Sequence, residues 1–168
     1  MIERTDTGVV DELCSTSATG PTLPTNYTKK RRIGSFKTDG SAHILAFTQI
    51  GTGQTREYAW TVATQDVSND TNLSNSNRLY TINSPLGVKV LARVQAQLIN
   101  TSNNVGMAIF SPDETTGPFS NLKVTSTASA SAGEYLVRTN TGSQINLRGD
   151  AASNNTVNLG CAGWIDFI

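Results

Sequence analysis

The stretch GVKVLARVQAQLIN, residues 87–100, constrains the fold more than any other part of this chain. Val88, Val90, Ala92, Val94, Ala96 and Leu98 recur at every second position, and Lys89, Leu91, Arg93, Gln95 and Gln97 fall between them. A period of two over that length describes a long β-strand with one face in a core and the other largely wet. A helix would scatter the same apolar residues around its circumference.

Shorter strand patterns surround it. The segment VGMAIFS (residues 105–111) follows the turn NTSNN and is apolar enough to be the antiparallel hairpin partner of 87–100. SPDETTGP then breaks the pattern with two prolines and a glycine. HILAFTQI (43–50), REYAWTV (56–62), EYLVRT (134–139), SQINLRG (143–149), NTVNLG (155–160) and GWIDFI (163–168) each carry four to eight strand-like residues between turn signals. Residues 66–78 and 125–134 are polar or low in complexity and read as surface loops. No window carries the i, i+3, i+4, i+7 stripe of an amphipathic helix. The expected fold is all-β: an antiparallel β-sandwich, jelly-roll-like.

Composition agrees. Only 15% of the 168 residues are charged, against about 25% in ordinary soluble domains, and Ser, Thr, Asn and Gly fill the gap. The chain has room for one domain with a sizeable core, spanning residues 1–168, with 1–40 as a lead-in strand and connector. Thirteen cations balance thirteen anions, so there is no general electrostatic pull on nucleic acid. No run approaches the roughly 18 apolar residues that span a membrane, and Glu3, Arg4 and Asp6 interrupt any secretory h-region. Neither nucleic-acid binding nor membrane insertion is therefore expected.

One local feature departs from that neutrality. Lys29, Lys30, Arg31 and Arg32 are consecutive. An extended chain sends alternate residues to opposite sides, so the quartet is poorly built as a one-faced phosphate grip. It reads as an exposed connector, entered through Pro21 and Pro24 and leading into a strand at 33–37.

Chemistry-bearing residues are sparse. His43 has no Gly-x-Ser-x-Gly elbow and no acidic partner in sequence, and reads as a strand residue. Asp66, Ser68, Asp70 and Asn72 alternate as oxygen ligands would, yet the glycine and the bidentate glutamate of a calcium loop are missing. No metal site and no cofactor are expected, and no catalytic residue is assigned. Asp113/Glu114 and Glu57/Asp66 are the weak carboxylate pairs a glycan-cleaving enzyme would need. Tyr58, Trp60, Tyr80 and Trp164 are the aromatic candidates for stacking on a sugar ligand, with Trp60 and Tyr80 carried forward, although alternation around Tyr58 and Trp60 also suits core packing. Cys14 and Cys161 read as free thiols. In GWIDFI, Trp164, Asp166 and Ile168 share one face and Ile165 and Phe167 the other, so apolar residues stand on both sides. One face then meets the core and the other a neighbouring subunit, with Ile165, Phe167 and Trp164 as interface candidates.

Several of these motifs together look familiar. RTDTGVVDELCSTSATGPTLPTNYTKKRRIGSFKTD, with Asp6–Asp11 as a strand and Leu23–Gly34 as a connector, resembles a segment near the C-terminal ends of bacteriophage and prophage tail-fibre-like and other virion structural proteins. SPLGVKV (84–90) and GWID (163–166) fit the same resemblance. It implies a non-enzymatic virion component, the distal domain of a fibre or spike, located in the virion and assembled in the host cytoplasm. It implies a homotrimer that binds other virion proteins and attaches to a host-surface glycan or receptor. A capsid decoration or head-fibre protein is the alternative it leaves open. In such proteins further strands precede the segment, which implies either a piece of a longer fibre or a chain that has lost that lead-in. They carry an apolar residue at the position of Cys14, which implies a buried thiol there.

Overall fold

A computed structural model describes residues 1–100, 105–117, 122–124, 129–150 and 155–168. Those residues contain twelve strands and no helix. In chain order they are β1 (Ile2–Arg4), β2 (Val10–Asp11), β3 (Tyr27–Lys30), β4 (Phe47–Ile50), β5 (Thr55–Asp70) and β6 (Arg78–Thr81). β7 (Leu91–Asn100), β8 (Val105–Phe110), β9 (Leu122–Val124), β10 (Ser129–Arg138), β11 (Gln144–Gly149) and β12 (Asn155–Phe167) follow. They form a five-stranded sheet in the order β10-β7-β12-β5-β4, a four-stranded sheet β6-β11-β8-β9, and a small N-terminal sheet β2-β1-β3. Every pairing is antiparallel. The antiparallel β-sandwich expected from strand spacing is the architecture found.

One core fills the space between the two larger sheets. Ala92, Val94, Ala96 and Leu98 of β7 and Val157, Leu159, Cys161 and Trp164 of β12 face Val105, Met107, Ile109, Ile145 and Leu147 of β8 and β11. Burial along β7 alternates as its sequence does. At one end the aromatic rings gather. Tyr58 stacks on Trp164 with centroids 4.9 Å apart and planes 11° apart, and Trp60 leans on Trp164 at 4.9 Å. Phe47 closes the group at 5.7 Å from Tyr58. The Trp60 indole N–H donates to the Asn83 carbonyl.

The structure corrects several local expectations. β8 does not pair with β7; it joins β11 and β9 in the opposite sheet. All six of its residues are buried: Val105, Met107 and Ile109 face the core, and on the other side Phe110 lies against Gly117. β5 runs on through Asp70, so the polar segment from Asp66 begins as strand rather than loop. Ser129–Glu134, read as loop, belongs to β10, while 125–128 and the turn residues 101–104 lie outside the described residues. The two C-terminal strand patterns are one strand, β12, whose register shifts between Cys161 and Gly163. There Gly163 takes φ +149, and a Cβ would collide with the Tyr58 carbonyl. Residues 33–37 form no strand, and β4 begins only at Phe47. Cys14 is exposed rather than buried, Cys161 is buried, and both are free thiols.

The cationic quartet is divided among unlike partners. Lys29 pairs with Glu3 across β1 and β3 at 2.9 Å. Lys30 and Arg31 are exposed. Arg32 turns into the sandwich and grips the Asp166 carboxylate with both guanidinium arms, at 2.5 and 2.6 Å. Asp166 is fully buried, so its charge is out of water and needs this planar, bidentate partner. Arg32 also donates to the Phe167 carbonyl and the Ser35 hydroxyl. Arg56 donates to the Ile33 carbonyl, and Gly34 leaves room for the Tyr58 hydroxyl, where a Cβ would collide. These contacts fasten the connector over the aromatic end of the core.

Removing one partner of such a pair leaves an uncompensated buried charge, worth about 3–5 kcal/mol. Arg32→Leu should therefore lower the unfolding free energy by about that amount in urea titration. Arg32→Leu with Asp166→Leu should recover part of the loss. An Arg32→Leu protein as stable as the parent would show that the pair does not hold the connector.

Candidate functional site

The outward face of the five-stranded sheet follows from the same period of two that built the core. Opposed residues of an antiparallel pair share a face, so the register lines up outward side chains across four or five strands. Ile50, Glu57, Ile165, Leu91 and Arg138 form one row. Gln65, Gly160, Gln95 and Glu134 form another, and Asn158, Gln97 and Ala132 a third. One end of the face thus sets Ile50, Ile165 and Leu91 beside the charges of Glu57 and Arg138, and the other is rich in amides.

Between the two ends lies an ionic cluster. Arg93 donates to Glu57 at 2.9 Å and to Glu134 at 3.1 and 3.2 Å. Beyond it opens a concavity of about 580 Å³ lined by the side chains of Gln65, Gln95, Gln97, Glu134 and Asn158, with Ala63, Ala132, Gly133 and Gly160 between them. Asn158 is held twice. Its amide donates to the Gln97 carbonyl oxygen at 3.0 Å, and its own oxygen accepts the Asn69 backbone N–H at 2.7 Å. Gln95 donates to Glu134 at 3.4 Å. Gly160 is forced by packing, since a Cβ would stand 2.5 Å from the Thr64 carbonyl oxygen. Repeated register shifts between β12 and β5 in this region bend the strands and hollow the face.

A second concavity, about 540 Å³, sits at the mouth of the sandwich between β5 and β6 and is lined by Lys37, Asp39, Thr64, Asp66, Thr81 and Asn83 among others. Its polar groups bind one another. Lys37 donates to the Asn83 side-chain oxygen. Asp66 accepts the Thr64 hydroxyl at 2.8 Å and the Asn83 backbone N–H at 3.1 Å. Burial raises the Asp66 carboxyl above the usual range despite those hydrogen bonds. The arrangement ties the connector to the sandwich and leaves little bonding capacity for a ligand.

The residues singled out in the sequence fall as follows. Trp60 and Tyr80 are buried, so neither ring is presented to solvent by the isolated chain. Tyr80 sits under the Arg78 guanidinium, 4.8 Å from ring centroid to Cζ, and burial with Asp70 alongside pushes its hydroxyl up to about 12. Trp164 lies in the chain's own core, whereas Phe167 is exposed and Ile165 half-exposed on the outer face. His43 is exposed and near Asp39, just after the turn at residues 40–42 rather than in a strand. Asp113 pairs with Lys89 at 2.6 Å beside Glu114. Glu57 points outward to Arg93 and Asp66 bonds Asn83 at the mouth, so those two do not share a cleft. Asp66, Ser68 and Asp70 lie in β5, with Asp70 bound to Arg78, so they do not gather as a cation loop. No cluster of metal-ligating side chains occurs among the described residues, and no helix among them is long and apolar enough to cross a membrane.

The sequence alone does not mark the amide groove, although part of its lining is visible there. Arg93, Gln95 and Gln97 are the polar half of the alternating 87–100 stretch, and only the pairing of β10 and β12 with β7 brings Glu134 and Asn158 beside them. A scan against protein-family models and a search of curated proteins find nothing that matches this chain.

The two thiols provide a check on this packing. Burial pushes Cys161 up to about 11, and its S–H donates to the Gly163 carbonyl, so it stays protonated and inert at neutral pH. A thiol-reactive chromophore should label only Cys14 in the native protein, and both cysteines once it is unfolded. Rapid native labelling of Cys161 would contradict the packing of β12.

Proposed function

We propose that this chain is a non-enzymatic bacteriophage virion protein, the distal domain of a tail fibre or spike, which attaches to the host surface. The resemblance of the connector and of residues 84–90 and 163–166 supports the virion assignment. The strand order supports a finer fold reading. β5 to β12 divide into β10-β7-β12-β5 and β6-β11-β8-β9, the arrangement of a long hairpin rolled into two sheets as a jelly roll.

The observation that carries the functional reading is the divided outer face. Its apolar end suits assembly and its amide end suits a polar ligand. Ile50, Leu136 and Phe167 are each more than half exposed there, with Ile165 and Leu91 beside them. A row of that kind is unusual on an isolated domain and suits burial against identical copies around a symmetry axis. A homotrimer keeps several amide ends available, and several weak contacts then multiply into firm attachment. The alternative reading, a capsid decoration or head-fibre protein, is favoured by the same apolar row if it docks on virion subunits instead.

Assembly separates the two. Light scattering at micromolar concentration should report about three times the 17.9 kDa chain mass. Phe167→Asp, at an exposed position, should reduce it to the single-chain mass while strand circular dichroism is unchanged. A folded monomer in the unmodified protein would overturn the trimer and shift the reading to decoration.

A further inference from the structure

We infer that the amide groove on the outer face binds an uncharged sugar chain through Gln65, Gln95, Gln97 and Asn158. This rests on the attachment reading above and narrows its ligand to one chemical class.

Hydrogen-bonding capacity is the first argument. Each amide offers a donor and an acceptor a fixed distance apart, which matches neighbouring hydroxyls on a sugar ring. Asn158 spends its oxygen on Asn69 and one hydrogen on Gln97. The Gln65 amide, the Gln95 oxygen and the Gln97 nitrogen have no partner among the described residues, so the groove keeps both donors and acceptors in reserve. These side chains project from paired strands, and Asn158 is held from two sides, so less ordering is needed on binding.

Charge is the second. Glu134 is the one ionised residue lining the groove among the described residues. It shares Arg93 with Glu57, so the three groups together carry a net single negative charge. That field opposes an acidic polysaccharide, a phosphate or a nucleic-acid strand, and offers no matched site to a polycation.

Shape is the third. Ala63, Ala132, Gly133 and Gly160 leave a low, weakly apolar floor on which the C–H face of a pyranose can lie. The space, about 580 Å³, falls within the roughly 300–1,000 Å³ of small-molecule sites. It contains no deep apolar pocket of the sort that takes an aromatic anchor from a protein partner. Among the described residues it also lacks an aromatic platform, so single-site affinity is low and the assembled copies supply the strength.

The test uses the assembled, nitrogen-15-labelled protein titrated with short oligomers of glucose, mannose, galactose and N-acetylglucosamine, and with oligogalacturonate as the charged control. At least one uncharged oligomer should shift the side-chain amide resonances of Gln95, Gln97 and Asn158. Gln95→Ala with Gln97→Ala should weaken that binding at least about tenfold, the equivalent of about 1.4 kcal/mol. Ala132→Arg, which fills the groove and removes no hydrogen bond, should do the same. Both variants should keep the parent's mass and circular dichroism. Silence from every uncharged oligomer, shifts confined to another surface, or tighter binding of oligogalacturonate would each overturn the inference. Retention of the same proteins on a panel of bacterial cell envelopes separates the two claims. Envelope binding that persists in the double variant leaves attachment standing and removes the groove from it, whereas no envelope binding by the parent removes attachment itself.

Discussion

The fold depends on β12 being paired along both edges. β7 lies on one side and β5 on the other over nearly its whole length, so each of its side chains has an imposed direction. Inward go Val157, Leu159, Cys161 and Trp164, which make the middle of the core and the base of the aromatic stack. Inward also goes Asp166, a carboxylate with no access to water. A buried ion of that kind is tolerated only with a well-placed counter-ion. Arg32 supplies it from 134 residues away in sequence. One strand therefore sets the core, the anchor of the N-terminal connector and, through its outward residues, the middle of the outer face.

That surface inherits its rigidity from the same pairing. Gln95 and Gln97 of β7 and Asn158 of β12 stand on the central strands rather than on loops, and Arg93 braces the middle of the face by binding two carboxylates. A groove so placed has little freedom to adapt, because strand pairing fixes where its donors and acceptors stand. The mouth of the sandwich works the other way. Lys37, Asp66 and Asn83 are bound to one another there, so that concavity serves to hold the connector.

How much of this was legible in the sequence follows from which faces meet water. β7 could be read from Leu91 onward because one face is wet and the alternation survives, although the strand expected over 87–100 does not include residues 87–90. β8 could be read as a strand but not assigned to a sheet, since a strand buried on both faces carries no periodic mark of its neighbours. The merging of the last two strand patterns into β12 depended on a bulge at Gly163, which sequence shows only as a glycine. The cationic quartet reads in the sequence as one exposed connector, whereas Lys29 and Lys30 belong to β3 and Arg32 is drawn inward, because Glu3 and Asp166 supply contacts that no local pattern encodes. The groove was visible as polar residues between apolar ones. Its membership came only from the order of strands, which brings β10 and β12 to the two sides of β7.

The claim that the fold hangs on β12 is tested most directly by native-state hydrogen exchange along that strand. Its amides, with those of β7, should exchange only through global unfolding, so their opening free energies should coincide and track stability in denaturant. Exchange through lower-energy local openings is expected instead in the small sheet of β1, β2 and β3. Fast, denaturant-independent exchange of residues 163–167, with β7 and β11 still protected, would contradict the account.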